Sequence, residues 1–96
     1  MYMNLQISAT REVTVNKTGA QSFQTVFFDL FQVPTEVTEQ ILSQDDKFEA
    51  YKTWALSFSK DNPVSTYDPF VVHITELYNW ISKCEENGYD IIWEMI

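Results

Sequence analysis

His73 and Glu76 stand three residues apart, a spacing that on a helix lets an imidazole and a carboxylate address one ligand or share a proton. A metal site would need further ligands. The chain has no second histidine and one cysteine, Cys84, so none are at hand. Cys84 follows His73 by eleven residues. On a continuous helix that is roughly 16 Å at 1.5 Å per residue, too far for a nucleophile and its base. His73, between Phe70 and Leu77, therefore reads as a structural histidine beside an apolar stripe, and Cys84 as a small core residue. The adjacent carboxylates Asp45-Asp46 and Glu85-Glu86 cannot share a proton either, because neighbours on a helix diverge by about 100°. Asp45 and Asp46 suit a helix start; Glu85 and Glu86 fall near a helix end, where the dipole disfavours them and no local stability explains them. Asp29 shares the parity of an apolar strand face with Arg11 two pairs away, which points to a local irregularity rather than a catalytic aspartate. Two isolated glycines, Gly19 and Gly88, cannot build a phosphate loop. No catalytic group, metal site or cofactor is expected.

The elements that position these residues follow from periodicity. Residues 3–15 alternate, with Met3, Leu5, Ile7, Ala9, Val13 and Val15 on one parity, broken by Arg11, which predicts a half-buried strand. Asn16-Lys17-Thr18-Gly19 reads as a three-residue hairpin loop that pairs Asn16 with Ala20. In residues 20–33, Phe23, Val26, Phe27, Leu30 and Phe31 also fit a helical stripe. Strand is preferred for the Phe, Val and Thr content and the preceding turn. That register sets Val13 against Phe23, Ala9 against Phe27, Leu5 against Phe31 and Met3 against Val33 as an apolar ladder, and throws Val26, Phe28 and Leu30 onto the far face. Pro34 ends the strand, and Thr35 caps a helix through Leu42 or Ser43. Ser43-Gln44-Asp45-Asp46 resembles a capping box for a second helix to about Ser59, with Phe48, Tyr51, Ala55 and Phe58 inward and Trp54 at the border. Lys60 to Asp68 reads as a loop around Asn62-Pro63. Asp68-Pro69 opens a third helix that carries Phe70, Ile74, Leu77, Tyr78, Ile81 and Cys84 and ends at Asn87-Gly88. Tyr89 to Ile96 forms a last strand. The expected fold is α+β in the order ββαααβ, with a three-stranded, mainly antiparallel sheet made of a β-hairpin and a C-terminal strand. Three helices pack on one face, and residues 1–96 form a single compact domain.

Aromatic residues make up 16% of the chain, so its acidity belongs to a folded surface rather than a solvated tail. One cysteine, no basic-then-apolar leader and no long apolar run suggest a cytoplasmic protein (the host cytoplasm, if phage-encoded). Fourteen Asp and Glu face six Lys and Arg, for a formal net charge of −8. Such a field attracts cations and basic surfaces and repels nucleic acid and anionic membrane.

The carboxylates cluster in two groups. Glu36, Glu39, Asp45, Asp46 and Glu49 are offset only by Lys47; Glu85, Glu86, Asp90 and Glu94 lie in the C-terminal stretch. Both are candidate partner-binding residues, against the alternative that the charge serves solubility. Val26, Phe28 and Leu30 form a secondary apolar patch, for a partner or a homodimer. In size, acidity and lack of catalytic groups the chain resembles small phage-encoded inhibitors, including anti-CRISPR and DNA-mimic proteins. The likeness is of kind and carries over no site residue. It implies a non-enzymatic inhibitor that binds the basic, nucleic-acid-binding surface of an enzyme or complex. An immunity or antitoxin protein that blocks a toxic nuclease shares that physics. A structural or adaptor subunit using the Val26, Phe28, Leu30 face is the third reading.

Overall fold

A computed structural model describes residues 4–15, 19–61 and 68–96. It contains β1 (Leu5–Val15), β2 (Ala20–Phe28), α1 (Thr35–Leu42), α2 (Lys47–Asp61), α3 (Pro69–Glu86) and β3 (Asp90–Met95), the ββαααβ order expected. The sheet is antiparallel throughout, with order β2-β1-β3. The helices cover one of its faces.

Strand β1 is central, paired with β2 along one edge and β3 along the other. Leu5, Ile7 and Ala9 are buried, and Leu5 and Ile7 form one core cluster with Tyr51 and Ala55 of α2, Ile74 and Leu77 of α3, and Ile41 of α1. Ile91, Trp93 and Met95 of β3 alternate with exposed neighbours and extend the same inner face. Among the described residues no helix is long and apolar enough to cross a membrane.

The ends of α3 follow local chemistry. Asp68 Oδ1 accepts the Phe70 N–H at 2.9 Å and Pro69 occupies the first turn. At the other end Gly88 sits at φ +81°, open to glycine without strain. This allows Tyr89 N–H to reach Cys84 O at 3.0 Å and Gly88 N–H to reach Glu85 O at 3.1 Å, closing the helix in a Schellman turn.

Three expectations need correction. The hairpin register is shifted by one residue: Val15 pairs with Ala20, so four residues rather than three lie between the strands. Ile7 then faces Phe28, Ala9 faces Val26 and Val13 faces Ser22. The shift moves Phe28 to the inner face, where its ring meets His73 and Trp80 at 5.6 Å each, and Leu30 also packs on the core. Phe23 and Phe27 take the outer face instead. The cause is coverage. Helices lie only over the Leu5–Ala9 end of the hairpin, so burial selects the register that turns Phe28 inward there and leaves the far end to solvent. The strand also stops at Phe28, which leaves Asp29 exposed past its end instead of on an apolar ladder. The helix caps differ too. Thr35 is the first residue of α1 rather than its cap, and α2 is capped by Asp46, whose Oδ1 accepts the Glu49 N–H at 3.0 Å. Ser43 instead donates its hydroxyl to Gln40 O. The expected Met3–Val33 pair and the loop around Asn62-Pro63 fall outside the described residues.

Candidate partner-binding surfaces

Helices α1 and α2 meet along a groove of about 590 Å³. Val37 and Ile41 of α1 and Ala50 and Trp54 of α2 supply apolar lining. Asp45, Asp46 and Glu49 bring three exposed carboxylates, with Gln40, Gln44 and Thr53 as neutral neighbours. The turn between the helices and the start of α2 place the acids together: Asp46 is the cap, Asp45 precedes it, and Glu49 is the third helical residue. Anions are favoured at each of these positions by the free N–H groups of a helix start. Of the basic side chains nearby, Lys47 Nζ donates to Gln44 O at 3.1 Å and Lys52 lies 3.8 Å from Glu49. Both partners of that ion pair are exposed, so it contributes little and can exchange. Glu36 and Glu39 are also exposed on α1 but do not line this groove.

The C-terminal acidic group is divided by the fold. Glu85 and Glu86 are exposed on the last turn of α3, while Asp90 and Glu94 belong to the outer face of β3. There Glu94 faces Gln6, whose amide donates to its Oε1 at 3.1 Å, and Asp90 faces Thr10.

The anticipated apolar patch is also divided. Phe28 and Leu30 are turned to the core, and only Val26, 37% exposed near the uncovered half of the hairpin, remains at the surface. In their place the outer sheet face shows Phe23 (70% exposed), Phe27 (60%), Ile92 (40%) and Ile96 (59%). The expected register turned Phe23 and Phe27 inward, which hid their exposure. Ile92 and Ile96 were legible as apolar residues on the parity of Asp90 and Glu94.

His73 lies in an aromatic cluster, its ring 4.0 Å from Phe31 and 5.6 Å from Phe28 between centroids. Tyr51 Oη accepts the Phe31 N–H at 3.0 Å and lies 2.8 Å from His73 Nε2. The hydroxyl has one proton and a second lone pair besides the one used by Phe31, so it bonds His73 Nε2 in either ring tautomer. Burial pushes the Tyr51 phenol up to about 12, against the pull of the Phe31 N–H. Burial lowers the His73 pKa from its ordinary value, and Glu76 opposes that shift. Burial raises the Cys84 thiol, with Lys83 acting the other way. Among the described residues no three His, Cys, Asp or Glu side chains converge to hold a metal ion.

Arg11 is spent on structure. Its Nε and Nη2 donate to Gln24 Oε1, its Nη1 donates to Asn87 O at 3.0 Å, and its guanidinium lies 4.6 Å from the centroid of the Tyr89 ring. It joins the hairpin to the end of α3.

No family model, curated protein or solved structure matches the chain. Among the described residues, the α1–α2 groove and the outer sheet face each combine exposed apolar area with exposed carboxylates.

Proposed function

We propose that this chain is a small non-enzymatic inhibitor that binds a basic, nucleic-acid-binding surface of a target protein through the α1–α2 groove. The observation that supports this reading most is the grouping of Asp45, Asp46 and Glu49 around an apolar-lined groove of about 590 Å³, on a molecule of net charge −8. Surfaces that hold phosphates do so with Lys and Arg donors. Carboxylates take the same charge-assisted hydrogen bonds and so compete for the same sites. Val37 and Trp54, both half-buried, add apolar area that a phosphate backbone lacks, which favours a protein partner. The field of the whole molecule speeds encounter with a cationic surface, and salt slows it.

The test is capture of nucleic-acid-binding proteins by the immobilised chain from the cell that makes it, at low and high salt. The comparison variant combines Asp45→Lys and Glu49→Lys with Asp46→Asn, which keeps the α2 cap while changing the charge. Capture at low salt, lost at high salt and lost in the folded variant, is the expected result. Equal capture by the variant would remove the groove as the binding site.

A further inference from the structure

The sheet face opposite the helices carries an exposed apolar stripe, separate from the groove. Even-numbered residues of β1 lie along its centre. Ile96 pairs with Asn4, Phe27 and Ile92 flank Ser8, and Phe23 lies opposite Glu12. The four apolar side chains therefore run diagonally, from the end of β3 across the middle of the sheet to the far part of β2. From Asn4 to Glu12 this stripe is about 26 Å long at 3.3 Å per residue, and it spans about 10 Å across three strands. Ser8, only 4% exposed between Phe27 and Ile92, shows how closely the stripe covers its centre.

Carboxylates edge the stripe on both sides. Glu94, Asp90 and Glu12 are exposed on the β3 and β1 side. Asp29 lies on the β2 side, where with Phe27, Gln6 and Ile96 it lines a depression of about 410 Å³. Among the described residues no Lys or Arg stands on this face. Arg11 has the opposite parity and is held by Gln24 and Asn87.

We infer that this open sheet face docks a cationic amphipathic helix of a partner protein. The apolar side of the helix lies along Phe23, Phe27, Ile92 and Ile96, and its Lys or Arg flanks meet Glu12, Asp29, Asp90 and Glu94. The stripe has the dimensions of a helix of about 17 residues and about 10 Å diameter. Layering a helix on a bare sheet face buries both apolar surfaces, as the three helices do on the other side. Charge decides against a second copy. Stacking two such faces would set carboxylates against carboxylates, whereas a cationic helix is complementary at both margins.

The probe is a labelled 17-residue peptide of Leu on one helical face and Lys on its flanks, with a scrambled peptide of equal composition as control. Binding is followed by fluorescence anisotropy, and the peptide's conformation by circular dichroism. The amphipathic peptide is expected to bind as a helix and the scrambled one to bind at least about tenfold more weakly. Phe27→Ser with Ile92→Ser, both surface changes, should lose about tenfold or more while the thermal midpoint stays close to that of the parent. Glu12→Gln with Asp29→Asn and Asp90→Asn should weaken binding and its salt dependence. Asp45→Asn with Glu49→Gln at the groove should change it less than about twofold, which separates this site from the one above. Equal binding by the scrambled peptide, no loss in the Phe27/Ile92 variant, or equal loss from the groove variant would overturn the inference. So would a peptide bound as an added strand on β2, or a dimer that the Phe27/Ile92 variant abolishes.

Discussion

Tyr51 and His73 join α2 to α3 through one hydrogen bond of 2.8 Å. The Tyr51 hydroxyl bonds both a backbone donor, Phe31 N–H, and the ring nitrogen His73 Nε2, in a site lined with aromatic rings. Tyr51→Phe leaves both without a partner and is expected to lower unfolding free energy by about 1–3 kcal/mol in urea titrations. Protonation of His73 would place a charge among the aromatic rings of Phe28, Phe31 and Tyr51, which burial disfavours. Its pKa is lowered accordingly. The unfolded chain then binds more protons near its ordinary His pKa of about 6.5, so stability is complete above that pH and falls as pH drops through the folded value. Denaturation midpoints measured downward from pH 7 should decline in the parent and be flatter in His73→Asn. His73 was legible as a helix residue near the apolar stripe. Its bond to Tyr51 was not, because nothing local to either residue announces a contact between α2 and α3.

The hairpin register is set by contacts beyond the local sequence. Alternation located β1, and Asp68-Pro69 and Asn87-Gly88 marked both ends of α3, because each rests on chemistry within a few residues. The β1–β2 register depends on the number of residues in the turn and on which end of the hairpin the helices cover. With Phe at positions 23, 27, 28 and 31, two registers offer comparable apolar ladders. The observed pairing makes a sharp prediction. Phe28→Ala should cost about 2 kcal/mol because its half-buried ring packs on His73 and Trp80, whereas Phe27→Ala should stay within about 0.5 kcal/mol. Paired chemical denaturation curves check this, and the reverse order would restore the earlier register. Asp46→Ala should cost about 1 kcal/mol through loss of the α2 cap, with Ser43→Ala having little effect by the same assay.

At the scale of the whole molecule, the excess of negative charge was plain from composition, but its arrangement was not. The acids that cluster in sequence separate in space: Asp45, Asp46 and Glu49 gather at the α1–α2 groove, while Asp90 and Glu94 lie on the opposite side of the sheet from the helices. Helix orientation decided this, and it depends on contacts far apart in the chain. The central claim is that carboxylates at the groove take the place of phosphates on a cationic partner. The most direct measurement is competition: duplex DNA titrated into the complex between the chain and a nucleic-acid-binding protein it captures. Displacement of the chain by DNA, with an apparent affinity that weakens as salt rises, is the predicted result. A complex that persists unchanged at saturating DNA would contradict it.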